Sequence, residues 1–141
     1  MKNNCIEKEK ITLPINIVNQ ILAHAQSRDA EEICGLIAES AGKVKSLYPI
    51  QNISVHREKL YQMDGKEQIN AMRAMRENGE QLYAIYHSHP FGEAYPSVTD
   101  VNEAQYPDVI YLIVSLDIKG VLDLRAYRLN NVDIEVLKVE V

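Results

Sequence analysis

The chain has 141 residues, a length that suits one domain with a sizeable core. Hydrophobic residues make up 46% and charged residues 25%, which excludes a disordered tail, a collagen-like fibre and a disulfide-dense miniprotein. Lys+Arg number 15 against 20 Asp+Glu, and the net charge of -5 has the wrong sign for a duplex nucleic-acid binder.

Residues 1–10 are polar, with no apolar centre for a signal peptide. Residues 11–13 suit a short strand. Pro14 sits where a helix can begin. Ile17, Val18, Ile21, Leu22 and Ala25 recur at helical spacing, so 14–28 reads as an amphipathic helix. Residues 33–38 are short and apolar, Gly42 punctuates, and 44–50 follows, which is a hairpin pattern. Residues 60–63 read as another short strand. Asp64 precedes a helical run whose face is marked by Ile69, Met72, Ala74 and Met75 and which ends at Gly79. Residues 82–89 alternate as a strand does. Two prolines and a glycine make 90–96 a loop, and 97–104 suits a short helix. Three strands, 109–116, 121–129 and 134–139, close the chain, with links short enough to be antiparallel. Strands interspersed with helices predict one α/β or α+β domain over 11–141 behind the polar segment 1–10.

No stretch reaches the ~18 apolar residues of a membrane span. Cys5 and Cys34 make no disulfide framework. The expectation is a soluble cytoplasmic protein with neither nucleic acid nor membrane as partner; a homodimer is left open.

The chemistry concentrates between His87 and Asp100. His87 and His89 stand two apart near a strand end, so period 2 puts both imidazoles on one face. Pro90 stops the strand, and the loop to Ser97 is long enough to fold back over it. Asp100, on the first turn of the next helix, can then bring a carboxylate to the same point. Two imidazoles and one carboxylate suit Zn²⁺, with the fourth tetrahedral position open to water. Taken alone, the histidine pair is more often surface or satisfied core, and Ser97 with Asp100 also spells a helix N-cap. The joint spacing H-x-H-x7-S-x2-D is far rarer by chance than its parts. A zinc water also needs a base, and Glu32 sits at the mouth of the strand that begins at Ile33. Its competing reading, with Glu31, is a solvated corner.

Glu32-x-Cys34-Gly35-Leu36, His87-x-His89-Pro90 and Pro96-Ser97-x-x-Asp100 together resemble the JAMM (MPN+, Mov34/PAD-1) metalloprotease family. Asn52 and Tyr61-x-Met63-Asp64 are similar to the family's stretch before its second helix. The resemblance implies a curved mixed sheet flanked by helices, like the cytidine-deaminase fold. It implies one zinc held by His87, His89 and Asp100, with Glu32 as general acid/base and Ser97 polarising the scissile carbonyl. It further implies hydrolysis after the C-terminal Gly-Gly of a ubiquitin-like protein. The compact prokaryotic type suggests a sulfur-carrier adduct of cysteine or lysine. The three strands expected after Asp100 leave little chain for a second pocket, so the leaving side is expected to matter less than the diglycine. The alternatives are a non-catalytic MPN-type binding scaffold and a thiol enzyme using Cys34, although a cysteine inside an apolar strand is usually inert. His24 and His56 are expected at the surface.

Overall fold

The computed structural model describes residues 9–117, 123–130 and 133–141. Strand β1 (Lys10–Thr12) leads to helix α1 (Ile15–Ser27), with Pro14 at its N-cap. The periodic residues Ile17, Val18, Ile21 and Ala25 are buried, as their spacing predicts. Strands β2 (Cys34–Ser40) and β3 (Lys43–Ile50) form a hairpin. Ala41 and Gly42 at its turn both have positive φ, the geometry of a type I′ turn.

Helix α2 (Gly65–Glu77) starts at Asp64, whose side chain accepts from the Glu67 N–H at 3.1 Å. Its buried face holds Ala71 and Met75, and Ile69 is 62% exposed. Met75 is buried and Met72 packs against the core as expected, but the core beneath admits the small Ala71 in place of Ile69. Residues 60–63 form no strand but a single bridge, Asn52 to Met63, because Asn52 claims the neighbouring backbone groups. Strand β4 (Gln81–His89), the five-residue helix α3 (Val98–Asn102), and strands β5 (Ile110–Ser115), β6 (Asp123–Leu129) and β7 (Ile134–Glu140) complete the order. The predicted start of β6 at 121–122 lies outside the described residues. Glu9, next to β1, holds Arg128 of β6 through two hydrogen bonds of 2.8 and 3.0 Å.

The seven strands among the described residues make one mixed sheet, ordered β1-β7-β6-β5-β4-β2-β3. The last three strands are antiparallel as expected, and β4 and β5 are parallel. β5 is buried on both faces, which explains its unbroken apolar run. One face packs Leu112, Val114, Ile37 and Tyr86 against α1. The other packs Leu36, Ile85, Tyr111 and Ile113 against Ala71 and Met75 of α2. Gly35 lies opposite Tyr86, and any side chain there would run into the tyrosine ring. No helix among the described residues is long and apolar enough to cross a membrane. Because β2 and β4 are antiparallel, the start of β2 meets the end of β4, and the chemistry-bearing residues gather there.

Candidate metal and catalytic site

His87 is wholly buried near the end of β4, opposite Cys34 of β2. His89 follows on the same face, its side chain 11% exposed. The loop after Pro90 folds back and is fastened at three points. His89 Nδ1–H donates to the Glu93 carbonyl at 2.7 Å, the Ser115 hydroxyl donates to the Gly92 carbonyl, and the Tyr127 hydroxyl donates to the Ala94 carbonyl. That route delivers α3 with Asp100 aimed at the imidazoles. The Ser97 and Asp100 side chains each accept the other's backbone N–H, at 3.0 and 2.9 Å, which closes a capping box. The cap reading and the ligand reading thus describe the same carboxylate.

His87 Nε2, His89 Nε2 and Asp100 Oδ2 stand 3.1 to 3.2 Å from one another. A carbonyl can only accept, so the Glu93 bond fixes the His89 hydrogen on Nδ1 and leaves Nε2 a lone pair when the ring is neutral. His87 Nε2 can either point its hydrogen into this cluster or offer a second lone pair, and in the second case the separation calls for a shared cation, a proton or a metal. A tetrahedral ion with bonds of about 2.0 Å sets its ligands about 3.3 Å apart, so the spacing suits one. The donor set therefore fits the metal that the sequence motif implies. Burial alone would raise the Asp100 carboxyl, but His87, His89 and the Ser97 N–H hold it well below the usual carboxylate range. Burial alone would lower His89, but Asp100 and the Glu93 carbonyl raise it.

Glu32 lies just before β2 and is 5% exposed, so the solvated-corner reading fails for it. Glu31 alone occupies the corner, between Arg28 and Arg57. The ligand atoms of Glu32, His87 and His89 all lie within 4.8 Å of one another, with Asp100 Oδ2 closer to the two rings. Oε1 of Glu32 is buried without a hydrogen-bond partner among the described residues. Burial raises its pKa, and the two histidines partly oppose this. The backbone around Glu32 is held on both sides. Its N–H donates to the Arg57 carbonyl at 2.7 Å, and its carbonyl accepts from Asn52 Nδ2 at 2.9 Å.

Sequence reasoning gave no role to three residues that shape this site. Asn52 uses its amide fully, donating to the Glu32 and Leu60 carbonyls and accepting from the Ser54 and Gln62 N–H groups. Ser88, wholly buried between the two histidines in sequence, accepts the Ile33 N–H at 2.9 Å and so ties the end of β4 to the segment before β2 that carries Glu32. Tyr61 stacks on the His87 ring at 4.5 Å. A polar residue inside an apolar strand was the available signal for Ser88; nothing local marked the other two contacts. Cys34 is buried, donates its S–H to the Ile50 carbonyl at 3.4 Å, and has its thiol pushed up to about 12 by burial. His56 is exposed as expected, but His24 is half-buried and hydrogen-bonded to the Tyr86 hydroxyl at 2.8 Å.

Comparison with known proteins shows the family. A family profile described as prokaryotic homologues of the JAB domain matches residues 14–130. The chain belongs to that family. A CysO-cysteine peptidase of Mycobacterium tuberculosis is 36% identical over 120 residues, covering 84% of this chain and 82% of that protein. A desampylase of Haloferax volcanii is 31% identical over 114 residues, covering 77% and 82%. A solution structure of a Desulfitobacterium hafniense protein superposes with a TM-score of 0.82 at 28% identity, covering 92% of this chain and 90% of that one.

Proposed function

We propose that the chain is a zinc-dependent peptidase that cuts the bond after the C-terminal Gly-Gly of a ubiquitin-like protein, releasing a cysteine or a lysine adduct from a sulfur carrier. The peptidase assignment is supported by relatives named as a CysO-cysteine peptidase and a desampylase. One observation carries the site: three ligand atoms mutually within 3.2 Å, faced by a buried carboxylate oxygen that has no partner among the described residues.

His87, His89 and Asp100 hold the metal in this reading. When bound, zinc supplies Lewis-acid polarisation of the attacking water and of the scissile carbonyl. Glu32 takes the proton from that water and hands it to the departing amine; burial, which raises its pKa, favours the protonated form it passes through. Ser97 Oγ accepts the Asp100 N–H, so its own hydrogen stays free to donate to the carbonyl oxygen as charge develops there. Ser88 and Asn52 hold the Glu32 backbone still. Residues without side chains let the substrate backbone approach the cluster closely, which favours a diglycine tail.

The test joins metal analysis to mass spectrometry. About one zinc per chain is expected, with cleavage after the second glycine of carrier adducts and loss of cleavage on chelation. A zinc-loaded protein that leaves every Gly-Gly adduct intact while cutting unrelated short peptides overturns the substrate. A protein that takes up no zinc overturns the site.

A further inference from the structure

The two histidines of the site are held in different ways. Nδ1 of His89 has the Glu93 carbonyl at 2.7 Å, which fixes both the tautomer and the turn of the ring. Nδ1 of His87 is buried and has no hydrogen-bond partner among the described residues. A ring that binds a metal through Nε2 carries its hydrogen on Nδ1. At His89 a carbonyl receives that hydrogen; at His87 no described group does. The second side-chain torsion of an imidazole sits in a broad well, so without such a bond little local preference holds the ring plane. The Tyr61 ring lies against that plane, with centroids 4.5 Å apart and planes 29° from parallel. That is the stacked geometry in which aromatic rings attract.

Tyr61 lies in no strand or helix, yet the chain is pinned on both sides of it. Asn52 Nδ2 donates to the Leu60 carbonyl at 2.9 Å, and Asn52 Oδ1 accepts the Gln62 N–H at 3.0 Å. The bridge between Asn52 and Met63 adds a third tie. One amide thus fixes the backbone that presents the tyrosine. Tyr61 also packs against the core that contains Ile85 and Tyr111, and filling that core is the plainer role. Core filling needs volume; holding an imidazole plane needs a flat ring. We propose that Tyr61 is a positioning residue for the metal: its ring, presented by Asn52, keeps His87 Nε2 turned toward His89 and Asp100, in place of the hydrogen bond that His89 has and His87 lacks. The proposal rests on the metal site assigned above. It gives the tyrosine hydroxyl no part in metal binding.

The experiment measures the zinc affinity of the full chain by competition with a chromophoric chelator, with no substrate present. Tyr61→Phe keeps the ring and should bind zinc within about twofold of the unaltered chain. Tyr61→Leu keeps apolar volume without the ring and should bind about tenfold or more weakly, the range seen when a group that orients a metal ligand is lost. Tyr61→Met supplies a second ringless variant if Tyr61→Leu folds poorly. Asn52→Ala should weaken zinc in the unaltered chain and add little in Tyr61→Leu, because the amide acts through that ring. Denaturant unfolding of the zinc-free chains is read alongside. A ringless variant that loses stability but binds zinc normally once folded shows core filling alone and overturns the proposal. So does a Tyr61→Phe loss equal to that of Tyr61→Leu. Additive losses overturn the part given to Asn52. Full zinc binding by His87→Ala overturns the metal site and this proposal with it, whereas unchanged affinity in the ringless variants overturns this proposal alone.

Discussion

Asp100 and Glu32 are both carboxylates buried beside the same two imidazoles, yet their surroundings differ sharply. Asp100 Oδ2 is contacted by His87, His89 and the Ser97 N–H, and its proton affinity falls far below normal. Glu32 Oε1 meets no partner among the described residues, and burial raises its affinity. One fold thus lowers the proton affinity of one carboxylate and raises that of the other, by giving donors to the first and withholding them from the second. The α3 side of the site suits holding a cation; the β2 side suits moving a proton.

Removing a member of the saturated side should have the largest effect. His87→Ala, His89→Ala or Asp100→Ala should each lose metal and turnover together, read by metal analysis beside the activity assay; full occupancy in all three contradicts the assignment. Asp100→Ala also opens the capping box and should lower stability by about 1 kcal/mol in a denaturant titration. Glu32→Gln should separate the two sides: the amide keeps the shape, metal content stays, and kcat falls about 10²–10⁴-fold. Near-native turnover in that variant would remove Glu32 from the proton path. Ser97→Ala should lower kcat by up to about 10²–10³-fold, since one oxyanion donor is lost while metal binding persists. Asn52→Ala deprives the buried Glu32 carbonyl of its partner and should lower unfolding free energy by about 2 kcal/mol. The smallest effect belongs to Cys34. With its thiol near 12, only about 10⁻⁴ of it is thiolate at pH 8, so iodoacetamide should leave Cys34 unmodified in folded protein. Cys34→Ala should retain turnover, and its loss in a folded, metal-loaded variant revives the thiol reading.

The two sides also differ in how they are encoded. His87, His89, Ser97 and Asp100 lie within one strand, one loop and one helix start, so period and spacing alone bring them together. Glu32 was visible as a carboxylate at a strand mouth, but the hydrogen bonds that hold the backbone there come from partners far along the chain: Asn52, Arg57 and Ser88. No local pattern encodes such contacts. His24 shows the same limit, since its partner Tyr86 stands 62 residues away. One position on the face of α2, Ile69, was misjudged for a different reason. With Ile69, Ala71, Met72, Ala74 and Met75 all available, periodicity permits two faces, and only the sheet beneath chooses between them.

β3, the outermost strand on its side of the sheet, carries one more consequence. An outer strand offers unpaired amides to any passing chain and is the usual seed of aggregation. Here Pro49 removes a donor, Lys43 and Lys45 put exposed like charges near the hairpin turn, and the register slip beside Glu39 bends the ribbon out of flat alignment. Two copies meeting along β3 would pair across a ladder that lacks a donor at Pro49 and carries exposed lysines from both partners, which disfavours growth of the sheet at this edge.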